Sequence, residues 1–447
     1  MSARIIEFKS TTQPIAHFIR VDNAHRRFGD LYAAGRLPIR RAVFDASRIA
    51  GQKEFVEALR RDGVEIVLDT EVAELAAPEK FKTHVKDAPW ASAAEGDLLD
   101  PHFFDGTHSQ VNIINWIAKF AVEQKVHTVL APSHYLADKN FSNWLSVDTQ
   151  SCIELRKSLD REGGNNIAID YPIIHLHTAL NQQSVRNQIV ERINDLPIDN
   201  IWIRASGLGT EPKPQATKQF LRTLYDFHNF NKPIIIDHVD GLMAQSLVAF
   251  GGASGLAQGI GERCQFKANS WHKTPQERDS SKPFGRTTYI PISGLGRRLS
   301  AKELKLLASA KGGKKYLGCQ DICCKHGVQN MLEDSRQHSA YQAISPIKRL
   351  SEVPDLNREN FFLESPLLEA ERLARNIKDL NPSPAEAEKY SIDISSLKGR
   401  LTKYHHSVGK LSDALSLLHS ERGAGAPRAK VCSYRTGCIN IAQNRNR

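Results

Sequence analysis

Short apolar runs that end in polar or acidic residues, separated by amphipathic stretches, constrain this chain more than any other feature of it. The runs are Ala42-Val-Phe-Asp45, Val64-Glu-Ile-Val-Leu-Asp69, Val126-His-Thr-Val-Leu-Ala131, Asn166-Ile-Ala-Ile-Asp170, Pro172-Ile-Ile-His-Leu-His177, Asn200-Ile-Trp-Ile-Arg204, Pro233-Ile-Ile-Ile-Asp237 and Thr287-Thr-Tyr-Ile-Pro-Ile-Ser293. They are too short for helices, which is how strands buried on both faces of a parallel sheet read. The segments between them predict helices: Gly51 to Arg61, with Phe55, Ala58 and Leu59 on one face, then Ser109 to Glu123, Asp148 to Asp160, Gln183 to Asn194 and Gln215 to Phe227. Ser300 to Ala310 predicts another, with Ser300 as N-cap and Glu303 closing a capping box. Strand and helix thus alternate seven or eight times between Ala42 and Ala310. Right-handed crossovers over that length favour a closed eight-stranded α/β barrel, a TIM-like (β/α)8 fold, over an open sheet.

At 447 residues the chain has room for a barrel with additions. Residues 1–40 read as an N-terminal segment and 41–345 as the barrel, with a zinc-binding subdomain at about 316–342. Residues 346–421 read as a helical C-terminal region after a Pro-rich irregular stretch over 345–365, and 422–447 as a basic, disordered tail. No run approaches the ~20 apolar residues of a membrane span. The N-terminus lacks an apolar core followed by a small-residue cleavage site, and an odd count of seven cysteines fits a reducing compartment. The expectation is a cytoplasmic chain without membrane contact. The formal net charge is +10, and Ser391–Arg447 alone hold ten Lys and Arg against three acids. An excess placed this way points to a polyanion, nucleic acid first.

Cys319, Cys323 and Cys324 lie within six residues, and His338 follows on the next helix. Tetrahedral Zn2+ takes four such ligands. Cys319, Cys324 and His338 are the expected ligands with Cys323 or His326 as the fourth; buried free cysteines are the alternative. Asp45 and Asp69 end strands at the barrel mouth, where a carboxylate can read a base edge, act as a general base or attack a sugar carbon. A helix N-cap or an arginine partner would explain them equally well. His175 and His177 read as a packed pair. Asp237, His238 and Asp240 crowd one strand end, and the glycine-rich loop Gly251–Gly261, followed by Glu262 and Arg263, could bind phosphate through its backbone N–H groups.

In order and spacing, residues 60 to 340 resemble the tRNA-guanine transglycosylase superfamily, including relatives that insert 7-deazaguanines into DNA. Ile66-Val-Leu-Asp69-Thr70 is similar to the family's strand ending in a base-contacting Asp. Ser206-Gly-Leu-Gly-Thr-Glu-Pro212 is similar to its Gly-Gly-Leu-x-Val-Gly-Glu-Pro loop, one residue short. Phe250-Gly-Gly-Ala-Ser-Gly-Leu-Ala257 sits where the family has Gly-Val-Asp-x-Phe-Asp, and Cys319 to His338 where it has Cys-x-Cys-x-x-Cys and a distant His. The nucleophilic Asp of the family would fall near Ala257, and a second base-contacting Asp near Ala131 or Pro132.

The resemblance implies a barrel enzyme with Zn2+ that exchanges guanine in tRNA or DNA. Asp69 would read the base edge, and Asp45, Ser206, Gly207, Leu208, Gly209 and Glu211 would serve the substrate pocket. Glu262 or Asp237 would stand in as nucleophile. A non-catalytic nucleic-acid-binding barrel that lost its nucleophile is the second expectation. An unrelated barrel enzyme binding a phosphorylated ligand or flavin is the third. A homo-oligomer or a partner protein is compatible with each.

Overall fold

The computed structural model describes residues 12–435 apart from 22, 82, 95, 105–111, 137–140, 210, 262–263, 273–286 and 424–425. Eight parallel strands close into a ring in chain order: β1 (Ala16–Arg20), β2 (Arg41–Asp45), β3 (Glu65–Asp69), β4 (Thr128–Leu130), β5 (Ala168–Leu176), β6 (Asn200–Ser206), β7 (Ile234–Asp237) and β8 (Gly255–Gly259). The α/β barrel expected from the alternation is therefore the fold. The ring closes where β8 lies beside β1, with Ala257 opposite Phe18.

Three of the eight strands differ from the sequence reading. The barrel begins at Ala16, not after residue 40, because β1 is only five residues long and mixes His and Arg with its apolar positions. The glycine-rich segment holds β8, where Gly255 fits because a Cβ there would lie 3.0 Å from the Ala16 carbonyl and 2.9 Å from Ile235. The two runs at 166–177 form one strand, β5. The late run Thr287–Ser293 is outside the ring. Its core is β9 (Tyr289–Ile292), which pairs antiparallel with β10 (Arg297–Ser300). Ser300 and Glu303 do form the capping box of the helix Ala301–Ser309.

Strand periodicity sorts the barrel interior. Side chains two apart share a face, so Arg41, Val43 and Asp45 of β2 go together, as do Glu65, Val67 and Asp69 of β3, and Asn200, Trp202 and Arg204 of β6; all nine are buried. The middle of the barrel is apolar, built from Phe18, Val43, Val67, Leu130, Trp202, Ile235 and Ala257. Its C-terminal rim carries charges, and so does its N-terminal end.

That N-terminal end is closed by the C-terminal segment. Residues 426–435 were expected to be disordered, since their composition carries no helix or strand signal; here they pack on the barrel. Cys432 enters the apolar interior cluster, and Tyr434 donates from its hydroxyl to the Gly63 carbonyl at 2.5 Å. Arg435 reaches Asp170 at 3.0 Å and Thr128 at 2.7 Å. Both Glu65 and Asp170 are fully buried, so the tail supplies positive charge that two buried acids need. Residues 436–447 of the expected tail lie outside the described residues.

The helix Ser335–Glu352 runs through Pro346 across the start of the region read as irregular. The long helix Ile394–Arg422 packs on the helices Pro214–Phe227 and Leu368–Lys378. Among the described residues no helix is long and apolar enough to cross a membrane.

Candidate functional site

Five charged side chains meet at the C-terminal rim, brought there by the same inward alternation that builds the apolar layer below. Arg20 donates from Nε to Asp237 Oδ1 at 2.7 Å and from Nη2 to Asp237 Oδ2 at 2.5 Å. Its Nη1 reaches Asp69 Oδ2 at 2.9 Å. Arg204 bridges the same two acids, to Asp237 Oδ2 at 2.8 Å and to Asp69 Oδ2 at 2.5 Å. Asp45 lies at the edge, 3.9 Å from Arg20 and 3.6 Å from Arg48.

All members of the quartet Arg20, Asp69, Arg204 and Asp237 are buried. Burial alone would raise the acids' pKa values. The two guanidiniums outweigh it and hold both carboxyls well below the usual carboxylate range. The quartet is fully ionised, internally neutral and geometrically closed. Aromatic side chains lie nearby, with Phe266 packed on His238 and Trp271, and Gly207 N–H donating to the Phe266 carbonyl.

The Ser206–Glu211 loop follows β6. Gly207 and Gly209 hold φ values of +81° and +79°, which a side chain would resist. Ser206 Oγ bonds Asn269 at 2.8 Å, Leu208 is buried, and Glu211 pairs with Arg297 at 3.2 Å. His175 stacks on Phe141, whereas His177 bonds the Ser206 carbonyl, so the two histidines serve separate packing contacts. Glu262, expected as a possible nucleophile, lies outside the described residues. Ala257 points into the apolar barrel interior.

Beside the ends of β7 and β8 is a cavity of about 620 Å³, walled by the barrel on one side and by β9, β10 and the helix Ser335–Glu352 on the other. Asp240 faces it. This carboxylate caps the helix Gly241–Ala249, accepting from Gly241 N–H at 2.7 Å, and receives Arg298 Nη2 at 2.6 Å. Arg298 also bonds the Cys264 sulfur at 3.1 Å, and its Nη1 is buried with no hydrogen-bond partner among the described residues. Gln258 lines the same space, bonded to the Ala343 carbonyl.

Cys319, Cys323, Cys324 and His338 form a second site, on the appendage. Their ligand atoms all lie within 4.8 Å of one another and can hold a metal ion. Cys319 and Cys323 sulfurs are 3.7 Å apart, as are Cys323 and Cys324, and His338 Nδ1 is 3.3 Å from Cys324. His338 Nε2 faces the Pro291 carbonyl at 2.7 Å, which assigns the proton to Nε2 and leaves Nδ1 as the ligand atom. His326, the alternative fourth ligand, is exposed and outside the cluster.

The residues missed from sequence are Arg20, Arg204, Arg298 and Arg435. Arg204 carried a signal, since it alternates with Trp202 and Asn200 and so had to face inward with them. Arg20 carries none, because β1 is too short and too mixed to stand out as a strand. No protein-family model matches the chain, and no curated protein matches it.

Proposed function

We propose that this barrel is a nucleobase-modifying enzyme of the transglycosylase type, acting on guanine in RNA or DNA. The observation that carries the reading is Asp240, a carboxylate at the C-terminal end of β7 facing a cavity of about 620 Å³. That volume lies in the range of small-molecule sites, and C-terminal strand ends are where barrel enzymes keep their chemistry. In this reading an Asp240 oxygen bonds the anomeric carbon while the glycosidic bond breaks, and the electron pair of that bond leaves with the base, which takes a proton from water. An incoming base then reverses both changes and releases the carboxylate. Arg298 holds one Asp240 oxygen at 2.6 Å, and its remaining N–H is available to the ligand. Asp69 and Asp237, each gripped by both arginines and shut off from solvent, shape the rim and do not attack, whereas the Asp240 side chain is 20% exposed.

The Cys/His cluster supports a zinc-type appendage. A tetrahedron with Zn–S bonds of about 2.3 Å has S···S edges of about 3.8 Å, and the two short sulfur separations are 3.7 Å. A site with four protein ligands keeps no open position, so its role is structural. It anchors the far wall of the cavity, since His338 bonds Pro291 of β9 and Pro291 lines that wall.

The test is to incubate the chain with guanosine-containing RNA and DNA and follow covalent adduct on denaturing gels alongside exchange of labelled guanine. Asp240→Asn should lower exchange at least about a hundredfold. Absence of adduct and exchange with both polymers ends the reading. The closed quartet favours one other outcome, a barrel that binds nucleic acid without turnover. Salt-dependent binding of wild-type protein with no exchange would identify it.

A further inference from the structure

A second cavity, of about 1000 Å³, runs between the start of the helix Pro214–Phe227 and the long helix Ile394–Arg422. Glu211 and Arg297 line this groove and also the smaller cavity beside β7 and β8, so the two spaces adjoin at one ion pair. The groove is strongly basic. Lys213, Arg297, Arg400, Lys403 and Lys410 line it against Glu211 and Asp413.

The arrangement follows from helix geometry. Leu397, Leu401, Tyr404, Val408, Leu411 and Leu415 form the buried stripe of the long helix. Arg400, Lys403, Ser407, Lys410 and Ala414 recur at three- and four-residue steps, so they form one neighbouring stripe that faces the groove. Arg400 is committed to Glu303 at 2.7 Å, and Arg297 packs over the Tyr404 ring at 4.7 Å. Lys403 and Lys410 are exposed and make no ion pair or hydrogen bond among the described residues. The N-terminal end of the helix Pro214–Phe227 opens into the same space and adds the positive end of its dipole.

We propose that this groove is the track of a single-stranded nucleic acid whose guanine enters the adjoining cavity. Unpaired lysines on one stripe, a concave basic channel and a pocket of nucleoside size that shares its Glu211–Arg297 wall are what a phosphodiester backbone with one base turned aside requires. The inference rests on the nucleobase reading of the cavity; its test is a binding measurement that stands apart from chemistry.

The experiment is fluorescence anisotropy of labelled guanine-containing single strands, one RNA and one DNA, titrated with the full chain across a salt series. Lys403→Glu with Lys410→Glu should weaken binding at least tenfold at low salt. It should also flatten the slope of log K against log salt by about 1.4, the value for two lost phosphate contacts on a single strand. Lys53→Glu with Lys157→Glu, on exposed helix faces elsewhere, changes net charge equally and should leave the slope intact. Lys403→Ala with Lys410→Ala, checked by circular dichroism, gives a milder loss in the same direction. Equal effects of the groove and control pairs overturn the track, and so does polyglutamate competing as well as the oligonucleotide. Groove-dependent binding without base exchange keeps the track and removes the enzymatic reading. Exchange on short guanosine oligonucleotides, with binding of long strands insensitive to the groove pair, does the reverse.

Discussion

Arg20 grips Asp237 with two nitrogens, Nε on one carboxylate oxygen and Nη2 on the other, although 217 positions of sequence separate them. With Arg204 and Asp69 they make a neutral, buried quartet at the rim of the barrel. Its energetics are asymmetric. A complete buried ion cluster adds little net stability, whereas removing one member leaves an uncompensated charge where water cannot reach it.

Arg204→Met should therefore cost about 3–5 kcal/mol in chemical denaturation. Replacing a pair at once, Arg20→Met with Asp237→Leu, should cost less than the two single changes summed. Additive losses would argue against the quartet as a unit.

The same cluster sets acid behaviour. Asp69 and Asp237 are held below their ordinary value of 3.8. A lowered folded pKa means that their stabilising contribution is present above the ordinary value and is lost only as pH falls through the lowered one. Acid titration followed by circular dichroism should show Arg204→Met unfolding at higher pH than wild type. An unchanged acid midpoint would count against it.

At the opposite end, Arg435 lies beside buried Glu65, whose pKa burial pushes up and Arg41 and Arg435 pull back. Arg435→Gln removes one restraint, so the folded pKa of Glu65 rises further. A raised folded pKa leaves stability intact at low pH and subtracts from it as pH climbs through that pKa. The melting-temperature deficit of Arg435→Gln should thus be larger at pH 8 than near pH 4.5. A deficit independent of pH would show that the tail acts by packing alone.

Gly255 seals the ring. A methyl group there meets Ile235 at 2.9 Å and the Ala16 carbonyl at 3.0 Å, one of them backbone that cannot step aside. Gly255→Ala should cost about 1–3 kcal/mol, and Gly255→Val more, with faster amide exchange along β1 and β8 as the readout. Protection unchanged in those strands would contradict the seam.

The appendage should carry one metal ion per chain, measurable by elemental analysis. Cys324→Ser or His338→Ala should release it and lower the melting temperature, as should a strong chelator, because binding free energy at such a site is folding free energy. A metal-free chain with the same melting temperature would make the cluster a set of packed thiols.

Local patterning determined much of this molecule by itself. Short continuous apolar runs and helices with period 3.6 dictated a parallel α/β ring, the Ser300–Glu303 capping box is a purely local device, and Cys319, Cys323, Cys324 and His338 stand out by residue type. Tertiary structure alone decided the rest. Gly255–Gly259 becomes a strand because β7 and β1 flank it, with glycine required at 255 where Ala16 and Ile235 leave no room for a Cβ, and Ala16–Arg20 because β2 and β8 offer it partners. Residues 426–435 are ordered because Glu65 and Asp170 await a cation at the far end of the barrel. Asp69 and Asp237, legible as strand-end acids, turn out to be clamped by arginines from two other strands. Propensity and periodicity act over a few residues, but a charge buried at low dielectric is settled by whatever closes around it, and that is known only once the ring is shut.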